Sequence, residues 1–207
     1  MTERPIIAID CDEVLVPTAE YFVDAYNDQY GTEVDFQTQH LEDPTGSWQA
    51  SGFDELLERL EAIRDTEAYR ALGISDEARG VLARLATNYD LHLVTARQPH
   101  EEDDTRHMLE RDAQGLFRGI HFVGFEGSKG QIVKELGARM LIDDSPRHLE
   151  DGLANGLPGD GAILFGEFPW NRQDPSDDRI VRMESWSAVE GYVNGIQEAE
   201  IERIASN

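Results

Sequence analysis

Three carboxylates stand within four residues at the end of the first apolar run of the chain. In the stretch IIAIDCDEV, residues 6–14, they belong to Asp10, Asp12 and Glu13. Clustered like charges are costly unless solvent, a cation or a reaction stabilises them. A carboxylate beside a metal ion can attack a phosphoryl group, and a second one two residues further along can pass a proton to the leaving alcohol. The pair Asp10 and Asp12 therefore indicates phosphoryl transfer as one chemistry for this segment.

More polar residues stand at the ends of later apolar runs. Thr95 and Arg97 end the second run, Asp143 and Asp144 end another, and Lys129 stands at the predicted start of a helix. Ligands of open parallel sheets bind beyond the carboxyl ends of the strands. If neighbouring strands bring these ends together, one pocket holds four carboxylates, a hydroxyl and an ammonium group.

Four clustered carboxylates require a cation. An all-oxygen ligand set with room for water favours Mg²⁺, whereas zinc favours histidine or cysteine. The six histidines show no paired metal-ligand spacing. A transferring phosphoryl group carries spread negative charge, which a metal ion, a lysine and a hydroxyl donor stabilise. We therefore expect Mg²⁺ as the cofactor.

Apolar patterns predict the elements that position these residues. Continuous rather than alternating apolarity indicates strands of a sheet that is covered on both faces. Such runs occur at 5–10, 91–96, 119–124, 138–143 and 161–166. Helical patterns occur at 75–88, 99–112, 128–137 and, closing the chain, 185–204. The alternation predicts an α/β fold with a Rossmann-like, doubly wound parallel sheet.

The first two predicted strands are separated by about eighty residues, far more than one crossover helix needs. This segment contains helical patterns near 17–30 and 53–64 and no obvious strand. We therefore predict a mainly α-helical cap, residues 16–85, inserted after the first strand. The catalytic core would consist of residues 1–15 and 86–207.

Charge excludes some classes of partner. The 207 residues include 42 acidic and 18 basic ones, for a formal net charge of −24. Such a chain repels nucleic acid polymers and anionic membranes. At about 1 M salt the screening length falls to about 3 Å, which removes most self-repulsion. We therefore expect adaptation to a high-salt cytoplasm; the alternative is an ordinary acidic enzyme.

Cysteine content and terminal sequence predict the compartment. Cys11 is the only cysteine, so no intrachain disulfide can form. The N-terminus lacks signal-peptide order, and no apolar run approaches the roughly 20 residues that span a bilayer. We expect a soluble, cytoplasmic protein, and the sequence leaves open whether it is a homo-oligomer.

Four motifs carry a family resemblance. DCDEV, LVTAR, a lysine at a helix start and LIDDSP, in this order, are similar to the motifs of the haloacid dehalogenase (HAD) superfamily, whose phosphatases have DxDx(T/V) on the first strand. The insert with YNDQYGTEVDF, together with LVTAR and LIDDSP, resembles the 5′(3′)-deoxyribonucleotidase family. The resemblance implies a Mg²⁺-dependent phosphomonoesterase with an aspartyl-phosphate intermediate and a nucleotide substrate. Glu13 departs from the glycine that many members have there.

The resemblance also implies roles for the first two motifs. Asp10 would be the nucleophile and, through its side chain, a metal ligand. Asp12 would be the general acid and base, with its backbone carbonyl on the metal. Thr95 would hydrogen-bond the phosphoryl oxygens, with Ala96 and Arg97 beside it in the substrate site. Arg97 could instead form an ion pair.

The later motifs complete the implied site. Lys129 would bind substrate and stabilise the nucleophile and the developing charge. Lys134 is a rival, but a lysine at the helix start can face the strand ends more readily. Asp143 and Asp144 would complete the metal site, and which of them is the direct ligand stays open.

Three alternatives remain at this stage. The first is a HAD phosphatase for sugar phosphates or another small metabolite. The second is a catalytically silent, phosphate-binding HAD protein. The third is a signalling receiver domain, which uses similar residues but carries its phosphorylated aspartate on the third strand; the long insert argues against it.

Overall fold

A computed structural model describes residues 4–39, 43–173 and 175–206. Six strands form one sheet in which all neighbours are parallel. They are β1 (Ile6–Ile9), β2 (Asp90–Thr95), β3 (Phe117–Phe122), β4 (Met140–Asp143), β5 (Ala162–Phe165) and β6 (Val181–Met183). The order across the sheet is β3-β2-β1-β4-β5-β6, so the chain winds outwards from β1 in both directions.

Helices flank the sheet and fill the segment after β1. They are α1 (Thr18–Tyr30), α2 (Phe53–Arg64), α3 (Glu67–Arg70), α4 (Asp76–Leu85), α5 (Glu102–Asp112), α6 (Lys129–Leu136), α7 (Pro146–Ala154) and α8 (Trp186–Ala205). A 3-10 turn, Pro99–Glu101, precedes α5. Among the helices in the described part of the chain, none has the length and apolarity that crossing a bilayer requires.

Two apolar clusters cover the opposite faces of the sheet. Ile7 and Ile9 of β1 belong to the cluster under α4, α5 and α8, whereas Ala8 belongs to the cluster under α6 and α7. The strands are continuously apolar because both faces are buried, and every residue of β4 and β5 is buried. The prediction of a doubly wound α/β fold is confirmed.

Local capping signals account for the helix starts. The side chains of Ser75 and Ser128 accept hydrogen bonds from the backbone N–H groups of Ala78 and Gln131, as expected of N-cap serines. Gly137 ends α6 with a φ of 62°, in the left-handed region that glycine tolerates. The cap at Ser75 starts α4, which packs against the sheet, and the cap at Ser128 places Lys129 at the first position of α6.

The segment after β1 has an apolar cluster of its own. Val23, Tyr26, Trp48 and Leu56 are among the residues of α1, α2 and the loop between them that pack there. Helix α4, which the sequence prediction assigned to the cap, instead packs Val81 and its neighbours against the sheet. The division into core and cap stays a prediction, and this packing favours a cap that ends before α4.

Three elements had no counterpart in the sequence prediction: α3, α7 and β6. Helix α3 has four residues and β6 has three partly exposed residues, so neither shows a periodic apolar pattern. Helix α7 begins at Pro146 behind Ser145, a start signal that was interpreted only as part of the LIDDSP turn. The extra strand extends the sheet beyond β5 without changing its topology.

Candidate active site

The first acidic residue of the site is held at the centre of the sheet. Strand β1 lies between β2 and β4, and the backbone N–H of Asp10 donates to the carbonyl of Ile142 at 2.9 Å, which extends the pairing with β4. The chain then turns tightly, since the N–H groups of Leu15 and Val16 both donate to the carbonyl of Cys11. The carboxylate of Asp10 is therefore fixed by the backbone at the carboxyl edge of the sheet.

Lys129 lies between two of the predicted site carboxylates. Its Nζ is 2.6 Å from Oδ1 of Asp10 and 2.7 Å from Oδ2 of Asp143, and its side chain is fully buried. The rival Lys134 is exposed on the same helix and lines a separate cavity beside Gly137. The structure therefore places Lys129 beside Asp10, the predicted nucleophile. The catalytic role of Lys129 stays a prediction.

Three buried carboxylates form a candidate metal centre. Asp10, Asp143 and Asp144 each have an oxygen within 4.8 Å of the others. Oδ1 of Asp143 accepts from the N–H of Ser145 at 2.9 Å, and Oδ2 of Asp144 accepts from Nε1 of Trp170 at 2.6 Å. Both aspartates of the LIDDSP motif thus face the same point. The backbone carbonyl of Asp12 stays a predicted fourth ligand.

The electrostatics of this cluster fit a divalent cation. Burial raises the pKa of Asp10 to about 6 although Lys129 opposes the shift. Burial, with repulsion from Asp143 and Asp10, raises the pKa of Asp144 well above its usual value. Burial would also raise the pKa of Asp143, but Lys129 and His148 together outweigh this effect and lower that pKa. One ammonium does not neutralise three carboxylates, and hard oxygen ligands suit Mg²⁺.

The predicted general acid is paired with an arginine. Nη2 of Arg97 is 2.7 Å from Oδ1 of Asp12 and Nε is 3.0 Å from Oδ2. Arg97 is itself anchored, since Nη1 donates to Oγ1 of Thr105 at 3.1 Å. Burial would raise the pKa of Asp12, but Arg97, together with Thr18 and Arg64, outweighs this effect and lowers that pKa. Of the two alternatives for Arg97, the structure shows the ion pair.

Thr95 ends β2 in a fully buried position. Its hydroxyl oxygen accepts from the backbone N–H of Arg97 at 3.1 Å, which leaves the hydroxyl hydrogen to donate elsewhere. Ala96 and Arg97 line the central cavity, as expected of substrate-site residues. The contact of Thr95 with a phosphoryl group stays a prediction.

A cavity of about 630 Å³ lies above these carboxylates. Asp10, Asp12 and Asp144 line its floor, and the wall that comes from α1, α2, α3 and the loop before α2 is largely aromatic and apolar. That wall, here named the cap wall, consists of Phe22, Trp48, Leu60 and Tyr69. For Phe22 and Trp48 the sequence left core packing and contact with a ligand as alternatives, and both residues pack in the cap cluster while lining the cavity.

Some residues of the site had not been selected from the sequence. Nδ1 of His148 lies 3.2 Å from Oδ1 of Asp143, and Trp170 reaches Asp144 from the loop after β5. Glu13 lines the cavity, and burial raises its pKa to about 7 although the hydrogen bonds that it accepts lower this pKa. A histidine five residues after Asp143 is a weak signal, and nothing in the sequence around Trp170 indicates its position.

Solved structures identify the fold. A haloacid dehalogenase-like family hydrolase from Streptococcus pneumoniae superimposes with a TM-score of 0.66 at 14% identity, covering 93% of this chain and all of that one. A haloacid dehalogenase-like protein from Agrobacterium tumefaciens gives 0.64 at 18% identity, covering 94% of this chain and 99% of the other. The fold is that of the haloacid dehalogenase-like hydrolases, as the motif resemblance predicted.

Sequence comparison identifies a family among the proteins that have this fold. Residues 4–198 match the family described as 5′ nucleotidase, deoxy (Pyrimidine), cytosolic type C protein. A Staphylococcus aureus strain Mu50 protein, provisionally named 5′(3′)-deoxyribonucleotidase, is 32% identical over 191 residues, which are 91% of this chain and 95% of that protein. A Staphylococcus epidermidis protein with the same provisional name is 27% identical over 196 residues, 94% of this chain and 98% of that protein. The chain belongs to this family, and it is an enzyme of the phosphatase and nucleotidase class.

Proposed function

We propose that the protein is a Mg²⁺-dependent phosphomonoesterase for nucleoside monophosphates, with 5′-deoxynucleotides as the leading substrates, and that it acts through an aspartyl-phosphate. The observation that carries the proposal is the cluster of Lys129, Asp10, Asp143 and Asp144, of which Asp10 and Asp144 line the floor of a cavity with an aromatic cap wall. The reaction needs a nucleophile, positive charge and a site for the leaving group, and each has a candidate there.

In the first step an oxygen of Asp10 attacks phosphorus. The new bond from the carboxylate oxygen to phosphorus forms while the bond from phosphorus to the leaving oxygen breaks. Asp12, in the protonated form that its pairing with Arg97 makes the minor one, gives its proton to the leaving oxygen. Lys129, 2.6 Å from Asp10, keeps the buried nucleophile ionised and stabilises the developing charge. Thr95 donates its hydroxyl hydrogen to a phosphoryl oxygen.

In the second step water attacks phosphorus and the bond to Asp10 breaks, which releases inorganic phosphate. Asp12 left the first step ionised, so it accepts the proton of the water and returns to its starting state. The pairing with Arg97 favours this ionised form. Asp10, Asp143 and Asp144 would hold Mg²⁺, which would supply positive charge that stabilises the phosphoryl oxygens.

The cap wall favours a nucleotide over a sugar phosphate as the substrate. Phe22, Trp48 and Tyr69 present aromatic surface to the cavity, and ligand sites of this size bind planar, partly apolar groups through such surfaces. A sugar has little apolar surface and instead needs many polar partners. A sugar phosphatase remains the second candidate, and a silent phosphate-binding protein the third.

Phosphate release from a panel of esters tests the proposal. The panel contains nucleoside and deoxynucleoside monophosphates, sugar phosphates and para-nitrophenyl phosphate. Each is measured with Mg²⁺ or EDTA, at low and at about 1 M KCl, the salt at which the charge of the chain is largely screened. The variants are Asp10→Asn and, as a matched control, Asp54→Asn at an exposed position of α2.

The outcomes separate the candidates. Turnover of nucleoside monophosphates that requires Mg²⁺ and disappears in Asp10→Asn, but not in Asp54→Asn, supports the proposal. Turnover restricted to sugar phosphates keeps the mechanism and rejects the substrate. Absence of Asp10-dependent turnover at both salt concentrations would favour the silent binding protein.

A further inference from the structure

Glu13 adopts a backbone conformation that its residue type disfavours. Its φ is 63°, and among the described residues only Gln49, at 53°, shares a positive φ without being glycine. L-residues rarely occupy this left-handed region, and glutamate has no local compensation such as that of asparagine or aspartate. Such conformations persist where surrounding contacts determine them, often at functional sites. The contacts of Glu13 must therefore explain its position.

Those contacts join Glu13 to the first turn of the helix that begins the cap. Its Oε1 accepts from the backbone N–H of Thr18 at 2.8 Å, from the Thr18 hydroxyl at 2.9 Å and from the N–H of Ala19 at 2.5 Å. Helix α1 begins after Pro17, which makes no side-chain cap hydrogen bond. The carboxylate of Glu13 therefore takes the place of an N-cap side chain, at the N-terminal end of α1, where negative charge is favourable.

The same residue is held in the loop that carries the predicted general acid. Glu13 follows Asp12 directly, and its N–H donates to the carbonyl of Val16 at 2.8 Å. Asp12 and Val16 also form an isolated bridge. The backbone of Glu13 thus belongs to the loop of Asp12, while its side chain belongs to the start of α1. One residue connects the floor of the cavity with the helix that carries Phe22 of the cap wall.

We propose that Glu13 is a positioning residue that clamps the first turn of α1 to the Asp12 loop, and so sets the distance between the cap wall and the reacting centre. The proposal rests on the proposed function, because its kinetic consequence requires a leaving group that reaches the cap wall. Without the clamp, α1 samples several positions, and only a fraction of molecules has the cap wall placed for binding. Apparent affinity falls in proportion to that fraction.

Three variants distinguish the effect of the clamp from the effects of the backbone strain and of the negative charge of Glu13. Glu13→Gly relieves the left-handed backbone and removes the clamp. Glu13→Gln keeps the acceptor oxygen and the strain but removes the charge. Gln49→Gly relieves the other positive φ at an exposed position outside the cavity, so it is the matched control for strain.

Steady-state kinetics give the first readout. For Glu13→Gly we expect the KM of a deoxynucleoside monophosphate to rise by about fivefold or more, the ratio that corresponds to a typical helix cap. We expect kcat/KM for glycerol phosphate, whose small aliphatic leaving group has no planar surface for the cap wall, to change by less than about twofold. Glu13→Gln should recover most of the loss, and Gln49→Gly should behave as the wild type.

Hydrogen exchange gives a readout that does not depend on the substrate. The amides of Thr18 and Ala19 should lose protection in Glu13→Gly, keep most of it in Glu13→Gln and keep all of it in Gln49→Gly. If the protein does not hydrolyse nucleotides, this readout still tests the clamp. Unchanged protection in Glu13→Gly overturns the proposal. Lost protection with equal effects on both esters also overturns it, because Glu13 would then be a helix cap without a role in placing the cap wall.

Discussion

Arg97 holds the carboxylate of Asp12 by two parallel contacts, 2.7 Å from Nη2 to Oδ1 and 3.0 Å from Nε to Oδ2. The two residues come from the ends of neighbouring strands, β2 and β1. A guanidinium fork fixes the direction of a carboxylate as well as its charge, which a lysine cannot do. The predicted proton carrier therefore has one preferred orientation, with its side chain 34% exposed toward the cavity.

The first prediction concerns this fork. Arg97→Lys keeps the positive charge but loses the two-point contact, and we expect kcat to fall by about tenfold, as for other lost positioning contacts. Arg97→Met should lower kcat further and destabilise the fold by about 1–3 kcal/mol, because it removes one partner of a largely buried pair. Steady-state kinetics and thermal unfolding measure the two effects.

Arg111→Lys is the matched control for Arg97→Lys. Arg111 makes a similar two-point contact with Asp112, outside the cavity. We expect its kcat to stay within about twofold of the wild type, because this ion pair lies outside the cavity. Equal kcat values in Arg97→Lys and the wild type would mean that the orientation of Asp12 does not limit the reaction.

The second prediction concerns the like charges around the candidate metal centre. Asp144→Asn removes one of three clustered carboxylates and keeps an oxygen that can accept from Trp170. Without metal, we expect the melting temperature to rise, by about 2–4 °C for a gain of about 1 kcal/mol in a chain of this size. Sites that bind cations commonly trade stability for function in this way.

The same variant should lose the response to Mg²⁺. A cation that binds only the folded state raises the melting temperature with its concentration. We expect a Mg²⁺-dependent increase in the wild type and in Asp160→Asn, where an exposed aspartate pairs with Arg139, and none in Asp144→Asn. Equal increments in Asp144→Asn and the wild type would place the cation elsewhere.

The third prediction concerns the approach of α6 to α7, which positions Lys129. Gly130 donates its N–H to Oδ2 of Asp151 at 2.8 Å. A Cβ at Gly130 would overlap the carbonyl of Asp151 and lie 2.7 Å from Nδ2 of Asn155. Gly130→Ala must therefore move α6, and we expect a loss of about 1–3 kcal/mol together with reduced kcat.

Gly80→Ala is the control for the glycine substitution. Gly80 lies inside α4, where the nearest atom to a new Cβ is Nη1 of Arg84 at an ordinary 3.5 Å. Alanine is preferred to glycine inside helices, so this variant should gain about 0.5–1 kcal/mol and keep its kcat. Thermal unfolding and kinetics of both variants test the account, and a Gly130→Ala enzyme with wild-type stability would contradict it.

The fourth prediction concerns two histidines away from the site. Nδ1 of His92 lies 3.1 Å from Nε2 of His121, and the rings are stacked. Burial, together with the neighbouring His121, lowers the pKa of His92 below 6.5, and Asp90 only partly opposes it. Burial likewise lowers the pKa of His121, although the negative charge of Glu135 partly opposes this shift. Each folded-state histidine thus binds protons less readily than its unfolded counterpart.

The sign of the pH effect follows from this difference. The contribution of the pair to stability is complete above pH 6.5 and declines as the pH falls through 6.5 toward the folded values. Asp10, with its raised pKa, acts in the opposite direction, so variants must be compared. His92→Gln should lose less of its melting temperature between pH 8 and pH 5.5 than the wild type. His107→Gln, at an exposed position of α5, should lose as much as the wild type; equal losses in all three proteins would exclude the histidine pair.

Features that depend on neighbours along the chain were predicted well. Apolar runs predicted five of the six strands, because a strand buried on both faces needs continuous apolarity whatever its partners are. Ser128 and Gly137 predicted the bounds of α6 and hence the place of Lys129 at a helix start. The helical character of the segment after β1 was also predicted, since α1 and α2 have amphipathic patterns.

Features that depend on partners distant in sequence could not be predicted in this way. Helix α4 has the same amphipathic pattern whether it packs on the cap or on the sheet, so the sequence does not determine which of the two it covers. Trp170 reaches Asp144 only because β5 lies next to β4 and the following loop folds back. Such contacts require the strand order, which local patterns do not contain.

The sequence by itself determined the α/β class, the order of the motifs and the residue types of the candidate site, because these follow from local apolar patterns and from short spacings such as that of Asp10 and Asp12. Only the tertiary structure decided that Arg97 pairs with Asp12 and that Glu13 caps α1. These side-chain pairings depend on the relative position of elements in space. A carboxylate takes whichever donors the fold brings within about 3 Å of it.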